Sequence, residues 1–421
     1  MKHFFLTLSI CTVMFAVSAQ TPKQLRLEDC YALARQNYPL IKRQQLITKS
    51  ALYSIENASK GYLPQVSING QATYQSNVTQ VPVKLQNINI PALAKDQYKA
   101  YTEINQLVYD GGVIKLQKQA LMAQSEIDKQ QLEVDLYQLK SRINDLFFGI
   151  LIANEEIAQV DTVKRDVQLG LDKTNASIAN GTALKSNADV LKAELLKDDQ
   201  HSIELKATRL AYIQMLGLFI NQPLDELTLL EKPAPTTTVS STISRPEMAY
   251  YDAQKTLFDV QSKSINAKNL PKLGLFFEGG YGRPGLNMLQ NSFSSYYVSG
   301  IKLSWSLSGY YTSRKEKAIL AMNKKSADYQ KETFLLNTNL QLKQQASEQA
   351  KHEALVKTDD EIIALRGKIK NTSLAQLANG VINANDYLRE VNAEDQAKQN
   401  QTLHSIQLLM AQYNQKTTSG N

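Results

Sequence analysis

The sequence predicts a mainly α-helical protein that also carries a small set of membrane-type β-strands, arranged as two copies of one unit. Three observations predict this class. Short segments recur about 200 residues apart, four runs of about ten residues alternate between polar and apolar side chains, and the longest helical segments contain no proline. A repeat of this length exceeds the solenoid period of about 20–50 residues, so it indicates a duplicated domain.

The duplication is visible in short recurring segments. Ala179-Asn180-Gly181 recurs as Ala378-Asn379-Gly380, and Leu63-Pro64 recurs as Leu270-Pro271. Each half has the same predicted order: shorter helix, strand, loop, strand, very long helix, turn, helix. The expected segments are a signal peptide at 1–19, a first repeat at 20–230, a linker at 231–244 and a second repeat at 245–421.

The N-terminus has the three parts of a signal peptide. Lys2 and His3 are polar, residues 4–17 are apolar, and residues 17–19 are small enough for cleavage before Gln20. A helical membrane anchor is excluded by length, because a span takes about 20 apolar residues.

The cysteines and the charge limit the remaining classes. Cys11 weakly resembles a lipoprotein signal, but apolar residues continue after it. Signal cleavage would leave Cys30 as a single cysteine, which we expect to be a small buried residue. The net charge of +7 is spread along the chain without a dense basic block, so nucleic acid is not an expected partner.

The strands are predicted from alternation with a period of two. Polar and apolar residues alternate from Gln65 to Tyr74 and again from Lys272 to Tyr281, and the return strands lead to Val108 and Leu307. Each run has about the length of a tilted membrane strand. One stripe is expected to meet lipid and the other, with Glu103 and Lys302, to face a wet lumen. The expected lipid-facing residues are Val66, Ile68, Leu273, Leu275, Ile301, Leu303 and Trp305.

Aromatic residues lie near the predicted strand ends, as an aromatic girdle at a membrane interface requires. They are Tyr62, Tyr74, Tyr109, Tyr281, Trp305, Tyr310 and Tyr311. After the signal peptide no segment is long and apolar enough for a transmembrane helix, so spanning would require strands in a closed barrel. A soluble hairpin with one buried face is the open alternative.

Two very long helices are predicted. Residues 113–179 contain no proline and would span about 100 Å as one helix. Apolar residues along this helix step by four and three, which is typical of coiled-coil packing. They are Leu132, Leu136, Leu139, Ile143, Leu146, Ile150, Ala153, Ile157 and Val160. The partner helix, over about 311–378, has a polar middle at 343–354 that suits a hollow wall wet on both sides.

The predicted chemistry is not enzymatic. His3, His201, His352 and His404 are far apart in the sequence and read as solvated or packed helix residues, the first lying in the signal peptide. No pair has metal-ligand spacing, and no phosphate-binding glycine loop or nucleophile elbow is present in the sequence. We therefore expect no catalytic site, no metal and no cofactor.

Several motifs in order resemble the TolC-type outer-membrane efflux proteins. They are Leu27-Glu28-Asp29-Cys30-Tyr31-Ala32-Leu33-Ala34, Gly61-Tyr62-Leu63-Pro64, Leu107-Val108-Tyr109-Asp110-Gly111-Gly112, Asn180-Gly181 and Asn379-Gly380. The resemblance covers about residues 25–415. One departure is Ser308-Gly309-Tyr310-Tyr311, where the family usually carries a phenylalanine and paired glycines.

The resemblance implies a homotrimer that serves as an export channel. Each subunit would give four strands to a 12-stranded β-barrel in the outer membrane, and the helices would form a coiled-coil tunnel across the periplasm. A periplasmic adaptor and an inner-membrane transporter would be the partners. Independently of the resemblance, four strands cannot close a membrane barrel. The open alternative is a structural periplasmic coiled-coil or adhesin-like protein without a pore.

The resemblance also implies functional residues at the helical turns. Asp386, Asp189, Arg389 and Lys192 would lie at the periplasmic constriction, and Gly181 and Gly380 would be tips that contact the adaptor. Simpler roles remain open for these residues. Ser186-x-x-Asp189 and Asn383-x-x-Asp386 have the pattern of helix starts, and the glycines suit plain chain reversal.

Overall fold

The computed structural model describes residues 24–79, 93–236 and 242–421, so the predicted signal peptide and part of the predicted linker lie outside the described residues. The helices are α1 Leu27–Asn37, α2 Arg43–Ser59, α3 Val113–Tyr137, α4 Leu139–Ala179, α5 Lys185–Ile220, α6 Pro246–Lys268, α7 Gly309–Ala378 and α8 Ala384–Ser419. The strands are β1 Gln65–Tyr74, β2 Asp96–Tyr109, β3 Lys272–Arg283 and β4 Ser294–Ser304. In these ranges, no helix combines the length and apolar character needed to cross a bilayer.

The chain divides into two compact units. The helical unit takes residues up to 38, 139–239 and 344–417. The sheet unit takes residues 39–138, 240–343 and 418–421. Each unit draws on both halves of the sequence.

The sheet unit contains one antiparallel sheet in the order β1-β2-β3-β4. β1 begins and ends at the residues that the alternation predicts. Val66 pairs with Ile104, and Ile104 pairs with Phe277 across the next ladder. Because directly paired residues point to the same side, these three side chains share one face of the sheet. β1 and β4 are the outer strands, and among the described residues neither pairs with a further strand.

Strand β4 is shorter than the alternation predicts. It ends at Ser304, so Trp305, which we expected in the strand, follows it. The indole Nε1–H of Trp305 donates to the carbonyl of Asn269 at 3.0 Å, and the hydroxyl of Tyr310 donates to the same oxygen at 3.1 Å. These two bonds tie the end of the strand to the residue that follows α6.

The helical unit is built from antiparallel hairpins. Lys164 of α4 contacts Asp199 of α5 at 2.5 Å, and Lys370 of α7 contacts Glu394 of α8 at 2.7 Å. The predicted apolar seam is buried, except that Ile157 is half-buried. Cys30 is fully buried as expected, and burial raises the pKa of its thiol to about 12.

The predicted 113–179 helix is interrupted at a single residue. α3 ends at Tyr137 and α4 begins at Leu139. Gln138 between them has a ψ of −19°, and its N–H reaches the carbonyl of Val134 at 3.3 Å. The ψ of Gln138 is close to a 3₁₀ value, although its N–H keeps the i→i−4 bond of an α-helix.

Candidate functional site

The two helical turns have the same backbone design. Gly181 follows α4 with a φ of +73°, and Gly380 follows α7 with a φ of +71°. In the first turn the N–H of Thr182 reaches the carbonyl of Ser177 at 2.8 Å. In the second, the N–H of Val381 reaches the carbonyl of Gln376 at 2.9 Å. Both are Schellman caps, which require a left-handed residue and therefore favour glycine.

The helices that follow these turns begin differently. Asn383 caps α8, because its Oδ1 accepts from the N–H of Asp386 at 3.0 Å, and the Asp386 carboxylate accepts in return from the N–H of Asn383 at 3.4 Å. This is a reciprocal capping box. In contrast, α5 begins at Lys185 after Leu184, which makes no side-chain cap. The helix start expected at Ser186 therefore lies inside the first turn of α5.

The candidate constriction charges lie on exposed or half-exposed helix surface. Asp189 and Lys192 form a loose pair at 4.0 Å. Arg389 lies three residues after Asp386 on α8, but its ion pair is with a different carboxylate. The Nε of Arg389 lies 3.1 Å from Glu390, which also contacts Arg366 of α7 at 3.5 Å. The interactions of the Asp386 carboxylate are thus those of the capping box at the start of α8.

An apolar cluster joins α4, α5, α7 and α8 directly behind the turns. Its buried members are Val163, Val167, Leu171, Ala188, Leu191, Leu377, Ala384, Tyr387, Leu388 and Val391. Tyr387 is the largest fully buried side chain among them, and its hydroxyl donates to the carbonyl of Asp166 at 2.9 Å. Burial raises the pKa of this phenol, so it stays a neutral donor.

A partly buried ion network lies beside this cluster. The Nζ of Lys370 is 2.7 Å from Asp166 and 2.7 Å from Glu394, and Lys398 adds a contact to Glu394 at 3.0 Å. Burial alone would lower the pKa of Lys370, but hydrogen bonds to the two carboxylates outweigh it and the pKa is raised. The network holds α4, α7 and α8 together by charge.

The structure brings together two histidines that the sequence left apart. The rings of His352 and His404 have centroids 5.9 Å apart, and Nδ1 of His404 lies 2.6 Å from a carboxylate oxygen of Asp359. Burial lowers the pKa of His352. The pairing had one sequence signal, because the two residues lie at similar distances on either side of Gly380. Among the described residues no cluster of three or more metal-binding side chains exists.

The sheet register places the predicted lipid-facing side chains of the four strands on one side, while Trp305 follows the end of β4. Ile68 and Leu303 are 84% and 70% exposed, and Leu275 pairs directly with Ile301. We call this side the apolar face. The opposite polar face holds Ser67, which pairs with Glu103. The side chains of the apolar face are thus exposed in the sheet unit.

Comparison with known proteins gives structural matches without close sequence relatives. No family model and no curated protein matches the chain. The outer membrane protein VceC from Vibrio cholerae has 12% identity and a TM-score of 0.67, covering 94% of this chain and 96% of VceC. The open-state outer membrane channel MtrE from Neisseria gonorrhoeae has 11% identity and a TM-score of 0.66, covering 94% and 89%. The outer membrane channel CmeC from Campylobacter jejuni has 13% identity and a TM-score of 0.62, covering 93% and 86%. The fold is that of the outer-membrane channels, as the motifs indicated.

Proposed function

We propose that this chain is the subunit of an outer-membrane export channel that passes substrates from a periplasmic adaptor and inner-membrane transporter to the outside. The observation that supports this proposal most directly is the sheet. Its four strands are in register and one apolar face is exposed, and within residues 24–79, 93–236 and 242–421 its two outer strands pair with no further strand. An apolar face of this kind suits lipid, which solvates no backbone polar groups.

The open edges support assembly into a homotrimer. Unpaired N–H and C=O groups along β1 and β4 would be intolerable in hydrocarbon, so these edges have to pair with other subunits. Four strands from each of three subunits give a closed 12-stranded barrel, and the smallest membrane barrels have about eight strands. In this arrangement the apolar face meets lipid, and the polar face lines the lumen.

The duplicated order of elements supports a tunnel. Each half of the chain has two strands followed by a long helical hairpin, α3/α4 with α5 and α7 with α8. Exposed polar residues along α7 suit a helix that is wet on both sides of a hollow wall.

The turns are the proposed contact with the adaptor, and the first residues of the following helices are the proposed constriction. Gly181 and Gly380 have open space around them, and Val381 is 69% exposed. Such small apolar tips suit docking against another helical protein. Asp386, Asp189, Arg389 and Lys192 lie within the first eight residues of α8 or α5, where three subunits would bring their charges together.

The alternative is a structural periplasmic coiled coil or adhesin-like protein. It is disfavoured because a coiled coil has no need of a sheet whose apolar face is exposed. We expect the detergent-purified protein to run as a trimer until boiled, and to conduct ions in planar bilayers. A monomer that retains its full β-signal and gives no conductance would overturn the channel proposal.

A further inference from the structure

We propose that the junctions between sheet and helices form a collar that binds anionic phospholipid headgroups in the periplasm-facing leaflet. The inference rests on the proposed function, because it requires the sheet to lie in the outer membrane. The collar is defined by seven basic residues: Lys60, Lys115, Lys118, Lys268, Arg314, Lys315 and Lys317.

The collar residues come from all four places where the chain passes between sheet and helix. Lys60 precedes β1, Lys115 and Lys118 follow β2, Lys268 precedes β3, and the remaining three follow β4. Chain order therefore brings them to one end of the sheet, although they are distant in the sequence. This end carries a concentrated positive charge.

The collar charges are not neutralised by the protein. None of the seven pairs with a carboxylate among the described residues, whereas farther along α7 Lys324 pairs with Asp259 and Lys331 with Asp252. Two acids lie within the same segments, so the seven cations leave a net charge of 7 − 2 = +5. Glu316 is exposed between Lys315 and Lys317. Asp110 is 6% exposed, and its two oxygens accept from the N–H groups of Gly112 and Ile114. Asp110 is thus committed to a helix cap. Cationic side chains that have no carboxylate partner and lie at the same end of the sheet are available to bind an external anion.

The order of side chains along β4 and α7 favours lipid as the source of that anion. Ile301 and Leu303 are followed by the aromatic rings of Trp305 and Tyr311, and these by Arg314. Trp305 is 57% exposed and Tyr311 is 84% exposed. An apolar stretch, then exposed aromatic rings, then cations is the order in which hydrocarbon, interface and headgroup phosphates meet a membrane protein.

The protein carries its own reporter for this contact. Trp305 is the single tryptophan of the chain, and it lies at the collar. Phospholipids with brominated chains quench tryptophan at short range. The protein would be reconstituted in vesicles that contain brominated phosphatidylglycerol or brominated phosphatidylcholine at equal mole fraction.

We expect the anionic lipid to show an association about two- to threefold stronger than the neutral lipid at low salt, with the preference fading as the salt rises toward about 0.5 M KCl and screens the charges. Replacing Arg314, Lys315 and Lys317 together with glutamine should bring the ratio close to one. The matched control replaces Lys343, Lys357 and Lys368, three exposed and unpaired lysines farther along α7, with glutamine. It should keep the preference.

The outcomes separate this inference from the proposed function. Equal quenching by both lipids, a preference insensitive to salt, or a preference that survives the collar substitution would overturn the collar and leave the channel standing. If neither lipid quenches Trp305, the sheet does not lie in a bilayer, and both proposals fail. The salt series on the unmodified protein tests the collar even if the triple variant does not fold.

Discussion

The ring of Tyr387 lies directly against the backbone of Gly170. A Cβ atom at residue 170 would lie 2.5 Å from Cε1 of Tyr387 and 3.0 Å from Cδ1. The ring is 1% exposed, and its hydroxyl is bonded to the carbonyl of Asp166, so it cannot rotate away freely. α4 and α8 approach here at a distance that only glycine permits.

We predict that Gly170→Ala destabilises the helical unit. Alanine would gain about 1 kcal/mol in helix propensity, but overpacking against a fixed ring costs about 1–3 kcal/mol. Thermal unfolding followed by far-UV circular dichroism measures the net loss. In a Tyr387→Leu background the ring is gone, so the same glycine substitution should become neutral or stabilising. An equal effect in both backgrounds would contradict the contact as the cause.

The two tip glycines should respond alike to substitution. Gly181→Ala and Gly380→Ala meet no neighbouring atom, so the expected cost is the left-handed strain alone, about 1–2 kcal/mol each. Asparagine tolerates this region better, so Gly181→Asn and Gly380→Asn are the controls. Unfolding midpoints compare the four variants. If alanine and asparagine cost the same, conformation is not what selects glycine here.

The sheet faces predict opposite outcomes for neighbouring residues. Ile68→Arg on the apolar face should destabilise the inserted sheet by about 2–4 kcal/mol near mid-membrane. Ser67→Arg should be mild, because Ser67 pairs across the ladder with Glu103. Denaturant titrations in lipid vesicles would compare the two. Similar losses would mean that the apolar face does not meet lipid.

Asp198 predicts a pH dependence of stability. Burial, with Glu194 nearby, raises the pKa of Asp198 from 3.8 to about 6. The folded chain therefore binds this proton more tightly than the unfolded chain. The stability contributed by that proton is present below pH 3.8 and is lost as the pH rises through about 6.

Asp198→Asn should accordingly raise the unfolding midpoint at pH 7.5 and flatten its change between pH 4 and about 6. Asp199→Asn is the neighbouring control, because Asp199 is half exposed and its pair with Lys164 contributes little. Unfolding midpoints of both variants, recorded over a pH series, test this prediction. A pH profile unchanged by Asp198→Asn would show that another group controls it.

Local patterns predicted most of the fold. The alternation that begins at Gln65 set the strand and its two faces, and the glycines at 181 and 380 marked the helix ends, because both signals depend on neighbouring residues. The interruption at Gln138 had no such signal. Strand β4 ends at Ser304, which pairs with Lys272, the first residue of β3, and the indole of Trp305 then bonds to Asn269, a partner far away in the sequence.

The candidate site was predicted less completely, because its chemistry depends on contacts between helices. The capping role of Asp386 follows from Asn383 three residues before it. Sequence spacing alone could not decide whether Arg389 contacts Glu390 or Asp386, because both carboxylates are within its reach on one helix. The fit of Tyr387 over Gly170 joins residues of different halves, and no local pattern predicts it.

The last prediction separates the two roles of Asp386, helix cap and pore charge. Asp386→Asn keeps an oxygen that can accept from the N–H of Asn383 but removes the charge. If Asp386 lines the constriction, this variant should lower the cation selectivity of the channel, while the unfolding midpoint stays nearly constant. Asn383→Ala is the complementary control. It removes the other half of the capping box at a cost of about 1 kcal/mol and leaves every charge in place.

Arg389 provides the opposite test. Its guanidinium contacts Glu390 rather than Asp386 and has a side chain that is 73% exposed. Three such cations near the axis would weaken the field of an aspartate ring, so Arg389→Ala should raise cation selectivity. Reversal potentials in planar bilayers under a salt gradient measure each variant. If Asp386→Asn and Arg389→Ala both leave the reversal potential unchanged, the constriction lies elsewhere and Asp386 serves only to cap α8.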